Sequence, residues 1–183
     1  MIEPGTGILL ISDPFLKDPN FMRTVVLLCE HKDEGSFGLV INRTFEQTLD
    51  QLITELEGYS VPVHYGGPVQ MDTLHFLHQL PNEIPGGHAI TKDIYWGGDF
   101  EMVISMLKKG TLDLGKIRFY LGYSGWGNGQ LTDEMKEKSW LTANATRKLV
   151  FQTEIDHIWK ESVRSMGGEF EQLIHYPIDP QLN

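Results

Sequence analysis

With 183 residues, 40% of them hydrophobic, the chain is large enough to bury a substantial core as one domain spanning 1–183. Its 25 acids against 15 Lys and Arg leave a net charge of −10, which disfavours direct nucleic-acid binding, where affinity rests on neutralising phosphates. The apolar runs "ILLI", "VVLL" and "LVI" are too short to cross a bilayer, the start of "MIEPGTGILLIS" is acidic where a secretory signal needs basic residues, and the single Cys29 cannot form an internal disulfide. The chain therefore reads as soluble and cytoplasmic, without a membrane partner.

In chain order, Ile8–Ser12, Thr24–Glu30 and Gly38–Asn42 are predicted strands. They are continuously apolar rather than alternating, which implies that both sheet faces are covered. "HKDEGS" (31–36) is short enough to join the second and third strands as an antiparallel hairpin. Phe45, Leu49, Leu52, Ile53 and Leu56 repeat at helical spacing, with Thr44 and Gln47 as a capping box and Gly58 as a stop. "VPVHYGGPV", "TLHFLHQL" and "IYWGG" read as short strands joined by Gly and Pro turns. Asp99 caps a helix that carries Phe100, Val103, Ile104 and Leu107 and ends at Gly110. "KIRFYLGY" is a strand leading into the glycine loop, Thr132-Asp133-Glu134 opens a helix, and a last helix from about Thr153 stops at Gly167-Gly168. The mixed order predicts an α+β fold: a strongly bent, largely antiparallel sheet with helices packed outside it.

The loop "LGYSGWGNGQL" (121–131) fails as a phosphate cradle. Gly122 and Gly127 have the first P-loop spacing, but Asn128-Gly129 stands where Lys-Ser/Thr is required, and no G-x-G-x-x-G is complete. Asp133 and Glu134 in the following first turn would repel an anion. The glycines then serve turning or close approach. Alternatively, they floor a pocket where the Tyr123 hydroxyl, the Trp126 N–H and the Gln130 amide offer hydrogen bonds beside aromatic faces.

Taken with "SDPFLKDPNFMRTVVLLCEH", "GSFGLVINR", "GGPV" and "LHFLH", this loop resembles the AlgH/YqgE family of bacterial proteins in block order and spacing from about Gly7 to Gly168. The resemblance implies a cytoplasmic bacterial protein whose bent sheet forms a pseudo-barrel, and it implies no established biochemical activity. Some members carry the name of transcriptional regulators of alginate production; the acidic charge here argues for an indirect rather than a DNA-binding role. The chain departs from the family at Thr44, where Pro is usual, and follows it poorly over "DIYWGGDFEMVISMLKKG".

Three readings of function follow. The preferred one is a small-ligand or peptide-binding, regulatory protein without catalysis, its groove lined by Arg23, Asn42, Arg43, Tyr123, Trp126 and Gln130. Either arginine could hold a carboxylate or phosphate by a bidentate fork, or form a structural ion pair. A second reading is a thiol-dependent hydrolase or transferase using Cys29 with His31 or His78. Cys29 and His31 share a strand face at a spacing too long for direct proton transfer, which leaves His78 as the better-placed base. The third is a regulator acting through protein partners. No metal or cofactor is expected, because the seven histidines form no HExxH and no carboxylate–histidine cluster, and His75 and His78 are three apart on a strand.

Overall fold

Both faces of the first strands are covered. The computed structural model describes residues 1–16, 18–19 and 21–177. In β1 (Ile8–Ser12), β2 (Val25–Lys32) and β3 (Gly35–Val40), Leu9, Ile11, Val25, Leu27 and Leu39 enter one core while Leu10, Val26, Leu28 and Val40 enter another on the opposite face. That is the physical reason for unbroken apolar runs. The hairpin is tighter than the sequence suggests: the strands extend through most of 31–36 and leave only Asp33-Glu34 as the turn. Its register shifts by one residue between Leu28 and Glu30, a bulge centred on Cys29.

The remaining strands are β4 (Thr44–Thr48), β5 (Pro62–Tyr65), β6 (Val69–His78), β7 (His88–Ala89), β8 (Tyr95–Trp96), β9 (Ile117–Gly127) and β10 (Trp140–Asn144). The sheet runs β10-β1-β2-β3-β9-β6-β8-β7, with β5 added to β9 and β4 to β5. Every described pairing is antiparallel except β5 with β9. The sheet is open, with β10 and β7 at its ends, so the bent sheet does not complete a barrel. Around it pack α1 (Leu49–Leu52), α2 (Phe100–Lys109), α3 (Gln130–Lys136) and α4 (Ile158–Met166). Ile158, Trp159 and Val163 of α4 close the first core, and Val103, Ile104 and Leu107 of α2 close a third over Ile117, Phe119 and Leu121. The Asp99 cap on α2 is present, its carboxylate accepting from Met102 N–H at 3.2 Å, and Gly110 ends the helix in the left-handed conformation. Among the described residues no helix is long and apolar enough to cross a membrane.

The helix expected from Thr44 to Leu56 needs correction. Thr44–Thr48 is a strand on β5, and only one α-turn and a short 3₁₀ turn follow. The reciprocal cap sits one turn later than expected, where Thr48 N–H donates to Gln51 Oε1 at 3.0 Å. Helical spacing of apolar residues was outweighed by the Thr- and Phe-bearing start, which fits a sheet edge.

The glycine loop is strand through Gly127. β9 pairs with β6 on one side; on the other it pairs with β5 over Phe119–Leu121 and with β3 over Ser124–Gly127. At the changeover Gly122 has φ +73°, and a Cβ there would stand 2.3 Å from the Gly67 carbonyl oxygen; one on Gly67 would meet the Tyr123 carbonyl at 2.1 Å. These glycines are required because two backbones cross in contact. Gly129 also has φ +73° but nothing within 4 Å of its Cβ position. Urea unfolding should therefore separate them: Gly129→Ala costs about 1–2 kcal/mol for its backbone conformation, whereas Gly122→Ala adds a backbone clash and loses distinctly more. Equal losses would contradict the crossing.

Candidate functional site

β3 stops at Val40, but its neighbour does not let go. Val25 N–H, which would otherwise meet the next residue of the ladder, donates to Asn42 Oδ1 at 2.9 Å, and Asn42 Nδ2 returns a bond to the Arg23 carbonyl at 2.9 Å. Arg43 Nη2 bonds the Met22 carbonyl and Thr24 Oγ1, the latter at 2.9 Å. Two side chains thus continue the hairpin where the main chain leaves it. Arg23 is held at φ +46°, uncommon for a residue with a Cβ, and its guanidinium lies 4.4 Å above the Trp159 ring while Nη2 bonds the Tyr176 carbonyl. Trp159 is anchored in turn by its N–H to the Ser12 carbonyl at 3.0 Å.

Arg23, Asn42, Arg43 and Trp159 line one open cleft of about 370 Å³, with Asp156 and Lys160 on its α4 side. Burial lowers the pKa of both guanidinium groups, yet neither can lose its proton under ordinary conditions. Among the described residues no carboxylate lies within 4 Å of either one. A cation taken partly out of water without a counter-charge is costly, and a bound carboxylate or phosphate relieves that cost.

The other expected groove residues lie elsewhere. Tyr123 packs against Phe37 and His75 at ring separations of 5.2 and 5.9 Å. Trp126 is 5% exposed in the core on the opposite face, stacked on Phe21 at 6.3 Å, with its N–H 3.4 Å from Glu134 Oε1. Three residues apart on a strand, the two rings point to opposite faces. Gln130 is exposed, and its Oε1 accepts from Gly127 N–H at 3.0 Å. Thus the structure gathers Arg23, Asn42 and Arg43, and separates them from Tyr123, Trp126 and Gln130. Trp159, on the last helix, completes the cleft; no spacing signal in the chain links it to Arg23.

Cys29 is 6% exposed, its Sγ lies 3.6 Å from the Leu27 carbonyl, and burial pushes the thiol well above its ordinary range. Such a thiol is a poor nucleophile. His31 instead faces Ser36, with Nδ1 2.6 Å from Oγ; the Glu30–Phe37 pairing of the hairpin already implies this neighbour. His78 has both ring nitrogens committed to backbone: Nδ1 accepts from Leu80 N–H at 3.1 Å and Nε2 lies 2.8 Å from the Gly97 carbonyl. Among the described residues no group of three or more His, Cys, Asp or Glu could hold a metal ion.

Burial holds His78 below its ordinary pKa, and burial followed by the Arg118 charge holds His64 down at about 4 against an ordinary 6.5. The unfolded chain therefore takes up these protons first as pH falls. The His64 contribution to stability is complete above about pH 6.5 and is lost progressively towards pH 4, and His78 acts in the same direction. Urea midpoints should drop between about pH 7.5 and about pH 5, and His64→Gln should flatten that drop. An unchanged slope in the variant would remove His64 from the account.

A family model described as AlgH-like matches residues 9–171. A UPF0301 protein from Chlorobium limicola is 43% identical, covering 100% of this chain and 96% of the relative, and one from Bacteroides fragilis is 40% identical, covering 100% and 93%. Of solved structures, the AlgH protein from Pseudomonas aeruginosa superposes with TM-score 0.74 at 26% identity, covering 97% of this chain and 98% of that one. A Corynebacterium diphtheriae protein superposes with TM-score 0.81 at 18% identity, covering 96% and 94%, a likeness of fold.

Proposed function

The chain belongs to the AlgH-like family, and on that footing we propose that it is a binding or regulatory protein that takes a small carboxylate- or phosphate-bearing ligand in the Arg23–Asn42–Arg43–Trp159 cleft. The observation that carries this reading is two half-buried guanidinium groups in one cleft without a carboxylate partner among the described residues. Arg43 uses Nη2 to hold the 22–24 segment, which fixes the plane of its fork, and among the described residues Nε and Nη1 have no hydrogen-bond partner and are left to a ligand. Trp159 supplies a flat apolar wall, and Lys160 on the rim adds charge for capture.

The cleft binds rather than reacts. Its polar side chains are cations, the Asp156 carboxylate and an amide whose oxygen and nitrogen are both spent on backbone, and none is a serine, threonine or cysteine set against a base. The overall charge of −10 supports selection of small anions at this local basic spot over nucleic acid. Regulation in this reading runs from ligand occupancy to a protein partner in the cytoplasm.

Isothermal titration with inorganic phosphate, succinate and citrate tests it. Binding of at least one anion should weaken with salt, and Arg43→Ala should cost about 1.5–3 kcal/mol, the worth of a charge-assisted bond, or roughly 10–100-fold in affinity. Trp159→Phe should keep the fold and reduce affinity less. No heat with any anion, or binding indifferent to Arg43→Ala and Arg23→Ala, would defeat the proposal.

A further inference from the structure

A second pocket, separate from the arginine cleft, lies where the β2–β3 hairpin meets the start of α3. It has a volume of about 280 Å³ and is lined by His31, Ser36, Gly127, Asn128 and Gly129, with Asp33 at its side. His31 and Ser36 are register partners across the hairpin, and Ser36 in turn faces Trp126 on β9. The serine is therefore set deep: it is 9% exposed, with Leu131 of α3 lining the same space, while His31 is only half-buried. Ser36 Oγ and His31 Nδ1 stand 2.6 Å apart.

We propose that Ser36 and His31 form a nucleophile–base pair that accepts an acyl group from a small neutral ester. In the tautomer with its proton on Nε2, His31 Nδ1 accepts the Ser36 hydroxyl proton, the separation required of a general base. Oγ then bonds the acyl carbon, the ester carbon–oxygen bond breaks, and the proton on Nδ1 passes to the departing alkoxide, which leaves as an alcohol. Water hydrolyses the acyl–Ser36 ester by the same proton route in reverse order, restoring both side chains. The pocket favours a neutral substrate: the Lys32 charge is paired with Glu30, and Asp33 in the lining disfavours an anion. Its size suits a short acyl chain.

An alkyl fluorophosphonate tests the pair, because attack by a serine oxygen displaces fluoride and leaves a stable mass adduct. Peptide mapping should place one adduct on Ser36, Ser36→Ala should lack it, and His31→Gln should fold normally by circular dichroism yet label about 100-fold more slowly. p-Nitrophenyl acetate should acetylate the same residue. No adduct on Ser36, or a His31→Gln variant that labels at the unsubstituted rate, overturns the proposal. Neither result bears on anion binding in the arginine cleft, which shares no residue with this pocket.

Discussion

Two main chains touch where Gly66-Gly67 passes Gly122-Tyr123. A Cβ on Gly66 would stand 2.3 Å from the Gly122 carbonyl oxygen, and one on Gly122 would stand at the same distance from that of Gly67. The contact is sealed by hydrogen bonds: Gly66 N–H donates to the Leu121 carbonyl and Val40 N–H to the Gly66 carbonyl, each at 2.8 Å. Here β9 hands one of its edges from β5 to β3, so two portions of the sheet with separate cores become one continuous surface. The positive φ at Gly122 also resets the alternation of side chains. Tyr120 and Tyr123 both reach the first core although three residues apart, and Trp126 then falls on the far face.

The arginine cleft inherits its shape from that crossing. With Val40 fixed to Gly66, the chain beyond β3 cannot continue the ladder with β2, and Ile41 makes its last main-chain bond to the Val25 carbonyl at 2.9 Å. Asn42 and Arg43 replace the missing main-chain partners with side-chain ones, and this places a guanidinium beside the turned residue Arg23. The arrangement uses charged donors for a structural task while leaving part of their hydrogen-bonding capacity free. A purely structural clamp would be cheaper with neutral groups, since desolvating an unpaired cation carries a cost. In the proposed reading, a bound anion offsets that cost.

Much of this was legible before the fold was known, and the reasons differ by segment. The apolar runs in β1 and β2 could be read because coverage on both faces leaves no polar alternation. Asp99 and Gly110 could be read because caps are local chemistry. Thr44–Leu56 was misread because short apolar repeats fit both periods, and a non-local partner, β5, decided the outcome. The separation of Tyr123 from Trp126 needed the knowledge that 121–127 is strand, which depends on β3, β5 and β6 arriving from elsewhere in the chain. Arg23 and Arg43 meet at the open end of the hairpin, where the bulge at Cys29 sets the register. Trp159, more than a hundred residues away, was beyond local reading.

Native-state hydrogen exchange of the Val40 and Gly66 amides tests the crossing most directly. Both N–H groups should exchange only through global unfolding, with protection matching that of buried Leu27 in β2 and a free energy equal to the unfolding value. Exchange of either amide at the rate of an exposed turn, while Leu27 stays protected, would show that the two portions of the sheet part independently, and the crossing would not be the constraint on which the cleft depends.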